Sequence, residues 1–453
     1  MIARMNGGVI RSEYDRYAEL VMQGIAGFIV FGGELDEVRE HIARLQNIAD
    51  VPLLIASDME QGAGQQLVGA TMFPPAMAIS RLDKDEAEAV FRVYAEEALY
   101  AGINMILAPV VDINTDPDNP IISVRSYGHD KGKVSEMSGS MIDTLRSNGI
   151  RTCAKHFPGH GDTSIDSHIS LPLIDKDIDK LEQEEICPFR DAVGKDVSSI
   201  MLGHIAVPAI DPENVPMSIS GKAVRYINER LDFEGLLMTD ALNMGGLSAY
   251  GQNKAAEMAL NAGVDILLHP DAPAAMNEYL NSVNARSEHA KLESFRKGLS
   301  MMSDDLPGFE RNMRLAQRVT ERSIDIGFDI GRVRPSSVLV LKEEGDLSSG
   351  ILEAYLREQF NDVPYVELNG EASSDVGVKG DRVMTVIYSA TGAWKGKASG
   401  WFNSAVQRAK LVSSHFIVLG NPYVIHDAGC RCIYTYWCSE LSEAALVNIF
   451  KQG

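Results

Sequence analysis

The chain has 453 residues, of which 45% are apolar and 23% are charged, a balance typical of a globular protein with two or three domains. No apolar run approaches the roughly 18 residues that span a bilayer, and five cysteines are too few for a disulfide scaffold. With 42 Lys and Arg against 63 Asp and Glu, the net charge of −21 repels phosphate backbones and anionic membranes, so neither nucleic-acid nor membrane partners are expected.

Seven nearly continuous apolar runs alternate with helical patterns over the first part of the chain. The runs cover residues 24–33, 51–58, 103–113, 150–157, 197–205, 235–242 and 264–270. Runs of this kind are typical of strands that are buried on both faces of a parallel sheet. An eighth strand is expected either before residue 20 or near residues 323–326. The alternation predicts a TIM-like (β/α) barrel or, as the alternative, a doubly wound open sheet.

Two helices between these runs have recognisable starts. Asp83 precedes a segment with apolar residues at helical spacing, and Glu86 follows it at the distance of a capping box. Ser220 is placed to cap a second helix in the same way. The segments between the strands are therefore predicted to be amphipathic helices.

Polar residues capable of chemistry end nearly every apolar run. They are Asp58, Asp112, Lys155, His156, His204, Asp240 and His269. In a closed barrel such strand ends converge on one face, whereas in an open sheet only those beside a switch point converge. No glycine-rich dinucleotide motif or P-loop is present, so no cofactor is expected and the barrel is favoured.

The pattern changes after Gly327, and a second series of strands follows. The predicted strands cover residues 338–341, 363–368, 382–388, 415–419 and 431–436, with a helical pattern between the first two. This series predicts a smaller, three-layer α/β domain. We therefore expect a catalytic barrel domain over residues 1–330 and a C-terminal α/β domain over residues 331–453.

The densest group of reactive side chains lies in the segment from Lys155 to His168, which reads KHFPGHGDTSIDSH. It contains three His, two Asp and one Lys in a loop that begins at a strand end. A metal site is one interpretation, but Pro158 and Gly159 interrupt the helical ligand pair that zinc sites often use, and no metal is predicted. A solvated structural loop is the second. The third is acid/base catalysis, in which Asp166 orients His168 and stabilises its charged form.

Four motifs, in their order along the chain, make the sequence recognisable. They are Asp58-Met59-Glu60-Gln61-Gly62, residues 119–128 (NPIISVRSYG), the segment from Lys155 to His168, and residues 238–244 (MTDALNM). Together they resemble glycoside hydrolase family three, in its bacterial β-N-acetylhexosaminidase branch.

The resemblance implies a role for each matching residue. Asp240 would be the nucleophile that forms a covalent glycosyl-enzyme, His168 the general acid and base, and Asp166 the group that orients His168. The substrate-binding residues implied by the same motifs are Asp58, Arg125, Lys155 and His156. One position departs from the pattern, because many relatives have Arg where this chain has Ala63. One sugar contact is therefore missing or is supplied from elsewhere.

The expected function is that of a retaining exo-β-N-acetylglucosaminidase that acts on a small carbohydrate substrate such as a cell-wall fragment. A cytoplasmic location is expected, because the first residues lack the apolar region of a signal peptide. Phosphorolysis is an alternative, since neutral His168 would not repel an incoming phosphate as a carboxylate does. A β-glucosidase and a catalytically silent sugar-binding protein are the others.

Overall fold

The computed structural model describes residues 1–161, 171–285, 289–343, 347–369, 382–390, 399–425 and 431–452. Eight parallel strands close into a barrel, which confirms the predicted TIM-like fold. The strands are β1 (Ile2–Asn6), β2 (Gly27–Phe31), β3 (Leu54–Ser57), β4 (Met105–Ile106), β5 (Arg151–Phe157), β6 (Ser199–Leu202), β7 (Leu236–Ala241) and β8 (Ile266–Leu268).

The strand that the sequence left open is β1, the first element of the chain. Ile2 pairs with Gly27 of β2 on one side and with Leu268 of β8 on the other, so this short strand closes the barrel. The expectation of a barrel strand near residues 323–326 is wrong, because Asp325–Ile326 forms an antiparallel strand of a second sheet.

Helices follow the strands around the barrel. They are α1 (Tyr14–Met22), α2 (Leu35–Ile48), α3 (Ala76–Ile79), α4 (Lys84–Ala101), α5 (Lys131–Ser147), α6 (Ile178–Gln183), α7 (Cys187–Val193), α8 (Gly221–Arg230), α9 (Gln252–Ala262), α10 (Pro273–Ser282), α11 (His289–Lys297) and α12 (Phe309–Ser323). The predicted cap is confirmed at Ser220, whose hydroxyl accepts from the backbone N–H of Ala223. Within the described part of the chain, no helix is both long and apolar enough to cross a membrane.

A second sheet has the order β11-β10-β12-β13-β14-β9, with β9 antiparallel to its neighbour and the other strands parallel. Its strands are β9 (Asp325–Ile326), β10 (Ser337–Lys342), β11 (Tyr365–Asn369), β12 (Val383–Tyr388), β13 (Ser413–Leu419) and β14 (Arg431–Tyr434). One face packs against α13 (Ile351–Gln359) and α15 (Glu440–Gln452), and the other packs against α14 (Gly400–Val412). These three layers are those predicted for the C-terminal part.

The chain forms two compact units. The first comprises Met1–Phe73, Lys84–Asp116 and Ser126–Met313, and the second comprises Pro74–Asp83, Pro117–Arg125 and Arg314–Gly453. Within the second unit, Met77 and Val124 pack against Tyr436 in one apolar cluster. Two segments from the first third of the chain thus contribute to the core of the second unit. The domain boundary at residue 330 stays a prediction.

Candidate active site

Strand alternation directs three charged side chains into the mouth of the barrel. Side chains alternate between the two faces of a strand, so a residue two positions after an inward-facing one also faces inward. Ala56, Cys153 and Met238 belong to the core inside the barrel. Two positions further along the chain lie Asp58, Lys155 and Asp240, at the carboxyl end of the barrel where the sequence placed the site.

Lys155 is the centre of a buried ion cluster. Its side chain is only 2% exposed, and Nζ lies 2.8 Å from Oδ1 of Asp58 and 2.7 Å from Oε1 of Glu60. Asp58 keeps 29% of its side chain accessible, whereas Glu60 is nearly covered. Lys155 therefore holds the Asp58 carboxylate in one orientation while leaving part of it open to a ligand.

The thiol of Cys153 lies beneath these charges. Burial raises the pKa of Cys153 to about 12, Lys155 acts in the opposite direction, and Asp58 and Asp240 raise it further. Both carboxylates and the ammonium group thus act on one point inside the barrel, as expected for side chains that converge from three strands.

A second buried carboxylate, Asp112, organises the end of β5. It is fully buried and accepts the Nδ1–H of His156 at 2.7 Å, the backbone N–H of His156 at 3.2 Å and that of His160 at 2.7 Å. Because the carboxylate accepts at Nδ1, the imidazole of His156 keeps Nε2 for another partner.

The first residues of the reactive loop pack closely on the segment after β4. The ring of His160 is buried against His156, with 6.3 Å between the ring centres, and burial lowers the pKa of His160 to about 4. The imidazole of His160 is therefore neutral near pH 7. Gly161 allows this packing, because a Cβ there would lie 1.7 Å from the carbonyl oxygen of Ile113.

Asp240 lies at the end of β7 with its side chain partly exposed, and its Oδ1 accepts from the N–H of Ala241 at 2.7 Å. The adjacent backbone is held by His204, which is fully buried. Its Nε2 donates to the carbonyl of Ala241 at 2.9 Å, and its Nδ1 accepts from the hydroxyl of Ser218 at 2.7 Å. His204 is thus a satisfied core histidine that positions the strand end bearing Asp240.

The opposite side of the mouth carries Arg4, Phe31 and His269. Arg4 follows inward-facing Ile2 by two positions, is exposed, and lies over the ring of Phe31 with 5.1 Å between guanidinium carbon and ring centre. Phe31 also contacts the ring of His269 at 5.9 Å. Burial lowers the pKa of His269 and Arg4 lowers it further, so this imidazole is neutral near pH 7.

Two of the predicted catalytic residues and one binding residue are not part of this geometry. Asp166 and His168 lie outside the described residues. Arg125 belongs to the second compact unit, where its guanidinium donates to the carbonyl of Ile121 at 3.1 Å.

Sequence reasoning assigned no role to three residues that the structure places in the site. Glu60 was visible in its motif and Asp112 as a strand end, but their partners are distant in the sequence. Arg4 gave no signal, because a five-residue strand interrupted by a charge has no clear pattern. Among the described residues, no group of three or more His, Cys, Asp or Glu side chains is placed to hold a metal ion.

Comparison with known proteins agrees with this geometry. The family model described as "Glycosyl hydrolase family 3 N terminal domain" matches residues 10–294. A beta-hexosaminidase of Nitrosomonas eutropha is 28% identical over 334 residues, which are 70% of this chain and 95% of that protein. Beta-hexosaminidase A of Pseudoalteromonas piscicida is 32% identical over 275 residues, which are 55% of this chain but only 46% of that longer protein.

A solved structure covers the whole chain. It is that of a glycoside hydrolase family 3 beta-N-acetylglucosaminidase from Paenibacillus sp., with a TM-score of 0.81, 25% identity, and coverage of 100% of this chain and 95% of that one. A closed parallel barrel with an ion cluster and an inward carboxylate at its carboxyl end defines a (β/α)-barrel enzyme. The family match covers well over half of the chain, and the chain therefore belongs to glycosyl hydrolase family 3.

Proposed function

We propose that this protein is a retaining exo-β-N-acetylglucosaminidase. The observation that carries the proposal is the convergence of Asp240 with the cluster of Asp58, Lys155 and Glu60 inside one barrel mouth. The names of the two beta-hexosaminidase relatives and of the Paenibacillus enzyme support N-acetylhexosamine as the sugar.

Two steps account for retention of configuration. In the first, an oxygen of Asp240 bonds to the anomeric carbon as the glycosidic C–O bond breaks, and the departing oxygen takes a proton from His168. In the second, His168 removes a proton from water, whose oxygen bonds to the anomeric carbon and releases Asp240. Each step inverts the carbon once, so the product keeps the β configuration.

The buried groups prepare the sugar site before substrate arrives. Asp58 is held by Lys155 and accepts from sugar hydroxyls, while His156, oriented by Asp112, presents Nε2 to the same pocket. Arg125 is the remaining proposed donor. Because the ion pairs are already formed, little reorganisation is required when the sugar binds.

The role of Asp240 is tested with two variants. Asp240→Ala is expected to lower kcat for an aryl N-acetyl-β-glucosaminide by at least about 10⁴-fold, the size typical of losing a member of the catalytic set. Added azide should then restore turnover and give the α-glycosyl azide, because azide occupies the face that the carboxylate has left. A β-azide would assign Asp240 to acid/base chemistry instead, and wild-type turnover would contradict any catalytic role.

A matched control is available on the same barrel. Asp232 is exposed and has φ of 52°, a conformation that Asn tolerates, so Asp232→Asn should keep full activity, whereas Asp240→Asn should lose it.

Phosphorolysis is the second candidate, and Arg4 is the observation that favours it. This exposed guanidinium faces the barrel mouth and makes no ion pair with a carboxylate of the described residues. It is therefore available to an incoming phosphate. Product analysis in phosphate buffer separates the two reactions, since a phosphorylase releases sugar 1-phosphate and a hydrolase releases free sugar.

A panel of aryl β-glycosides distinguishes the sugars. Higher kcat/KM on the N-acetylglucosaminide than on the glucoside is expected, and the reverse order would indicate a β-glucosidase. Absence of turnover on every member would favour a silent sugar-binding protein. As the natural substrates we propose small cell-wall fragments processed in the cytoplasm. Their test is release of N-acetylglucosamine from purified muropeptides.

A further inference from the structure

A cavity of about 390 Å³ in the second unit is lined by basic side chains and is separate from the residues of the candidate active site. The lining includes Arg332, Arg334, Arg382 and Arg431, with Asp329 as the acidic member. Four guanidinium groups and one carboxylate give this cavity a charge of about +3 in a chain whose net charge is −21.

Sheet topology explains why arginines from distant parts of the chain meet here. Arg334 precedes β10, Arg382 comes directly before β12, and Arg431 is the first residue of β14. These strands lie in the parallel part of the sheet, with β13 between β12 and β14. Their amino ends therefore lie along one edge, where the three guanidinium groups converge.

The arginines are exposed, and two of them are held by neighbours. Arg334 donates to the carbonyls of Gly331 at 2.8 Å and Val333 at 2.9 Å. Arg332 pairs with Asp329 at 3.1 Å. Arg431 makes no ion pair with any carboxylate in the described ranges of the chain. The group therefore carries more positive charge than the protein neutralises, and like charges at this distance repel one another.

His415 and Phe328 form the uncharged part of the lining. Their rings are 4.7 Å apart and nearly perpendicular, and the hydroxyl of Ser414 lies 2.9 Å from Nδ1 of His415. Arg431 is paired in register with His415 on the adjacent strand. Burial and then Arg431 lower the pKa of His415, so the ring stays neutral and offers an aromatic surface beside the charges.

We propose that this cavity binds the diphosphate group of a small molecule. Guanidinium groups bind phosphate oxygens in pairs through parallel N–H donors, and a diphosphate carries a charge of roughly −3, which matches the lining. The cavity has the size of a small-molecule site. A long polyanion is disfavoured, because the rest of the acidic surface would repel it. The proposal is independent of the proposed glycosidase activity.

The test is calorimetric titration of the full chain with inorganic pyrophosphate at an ionic strength kept constant with chloride. Saturable binding of one pyrophosphate per chain is expected. Arg431→Gln should weaken that binding by at least about tenfold, because one charge-assisted contact is lost. Arg318→Gln is the matched control, since Arg318 is an exposed arginine of the same unit that does not line the cavity, and it should leave the affinity unchanged.

Asp329→Asn provides a change of the opposite sign. Asp329 accepts from the N–H of Gly331 at 2.9 Å, a cap that Asn also makes, so the fold should be kept while one negative charge is removed. Pyrophosphate should therefore bind more tightly. The thermal midpoint of ligand-free Arg431→Gln should equal or exceed that of the wild type, because repulsion is relieved, whereas a purely structural arginine would lower it.

Three probes separate the ligand classes. Pyrophosphate and a nucleoside diphosphate should both bind, and orthophosphate should bind more weakly than either. The proposal is overturned if pyrophosphate gives no binding beyond the chloride control, if orthophosphate binds equally well, or if Arg431→Gln behaves like Arg318→Gln.

Discussion

At the scale of single residues, Lys155 shows how one buried charge depends on its neighbours. An ammonium group that is almost entirely removed from water is stable only because Asp58 and Glu60 lie within 2.8 Å of it. Removal of the lysine would leave two carboxylates facing each other in a poorly hydrated site. Breaking a buried pair by deleting one partner is more costly than replacing the whole group.

We expect Lys155→Met to lower the free energy of unfolding by about 3–5 kcal/mol, measured by urea denaturation. The control is Lys254→Met, because Lys254 is exposed and pairs only with Glu257 on the same helix, and its change should stay within about 0.5 kcal/mol. Adding Asp58→Asn and Glu60→Gln to Lys155→Met should recover part of the loss. Equal effects of the two lysine variants would show that the cluster carries no special cost.

At the scale of elements, the junction between β5 and the reactive loop depends on close backbone contact. The carbonyl of Gly161 accepts from the N–H of Asp116 at 3.2 Å, and its Cα approaches Ile113 more closely than any residue with a Cβ allows. The segment that leads toward Asp166 and His168 is thus attached to the segment after β4 by a contact that only glycine permits.

Gly161→Ala should therefore displace this junction and lower kcat for an aryl N-acetyl-β-glucosaminide by more than tenfold, as small misplacements of catalytic groups do. Gly400→Ala is the control, because Gly400 begins α14, has no neighbouring atom within 4 Å of the added Cβ, and should be neutral or slightly stabilising. Unchanged kcat in Gly161→Ala would mean that the loop tolerates the shift.

At the scale of the whole molecule, the two compact units do not follow the order of the chain. Met77 and Val124 lie in segments between barrel elements, yet both pack against Tyr436 near the carboxyl end. A division at residue 330 separates these apolar partners, whereas a simple two-domain chain would tolerate it.

A fragment of residues 1–330 should therefore expose an apolar patch. We expect it to bind a hydrophobic dye and to self-associate in sedimentation, which the full chain should not do. Polar replacements at Met77 and Val124 within the fragment should reduce both effects. A fragment that stays monomeric and binds no dye would instead support residue 330 as a true domain boundary.

Local patterns in the sequence were sufficient for most elements and for three site residues. Seven barrel strands were predicted because each is a continuous apolar run, and Asp58, Lys155 and Asp240 because they end such runs within long motifs. These signals depend on neighbours along the chain, which the sequence displays directly.

Only the tertiary structure decided which groups meet across the fold. Ile2–Asn6 is a barrel strand because Gly27 and Leu268 lie on its two sides, and this placement alone brings Arg4 to the mouth. The same holds for Glu60 with Lys155, for Asp112 with His160, and for the arginines around the second cavity. Their partners are far apart in the chain, so barrel closure and sheet order determine the contacts, and neither can be read from a local pattern.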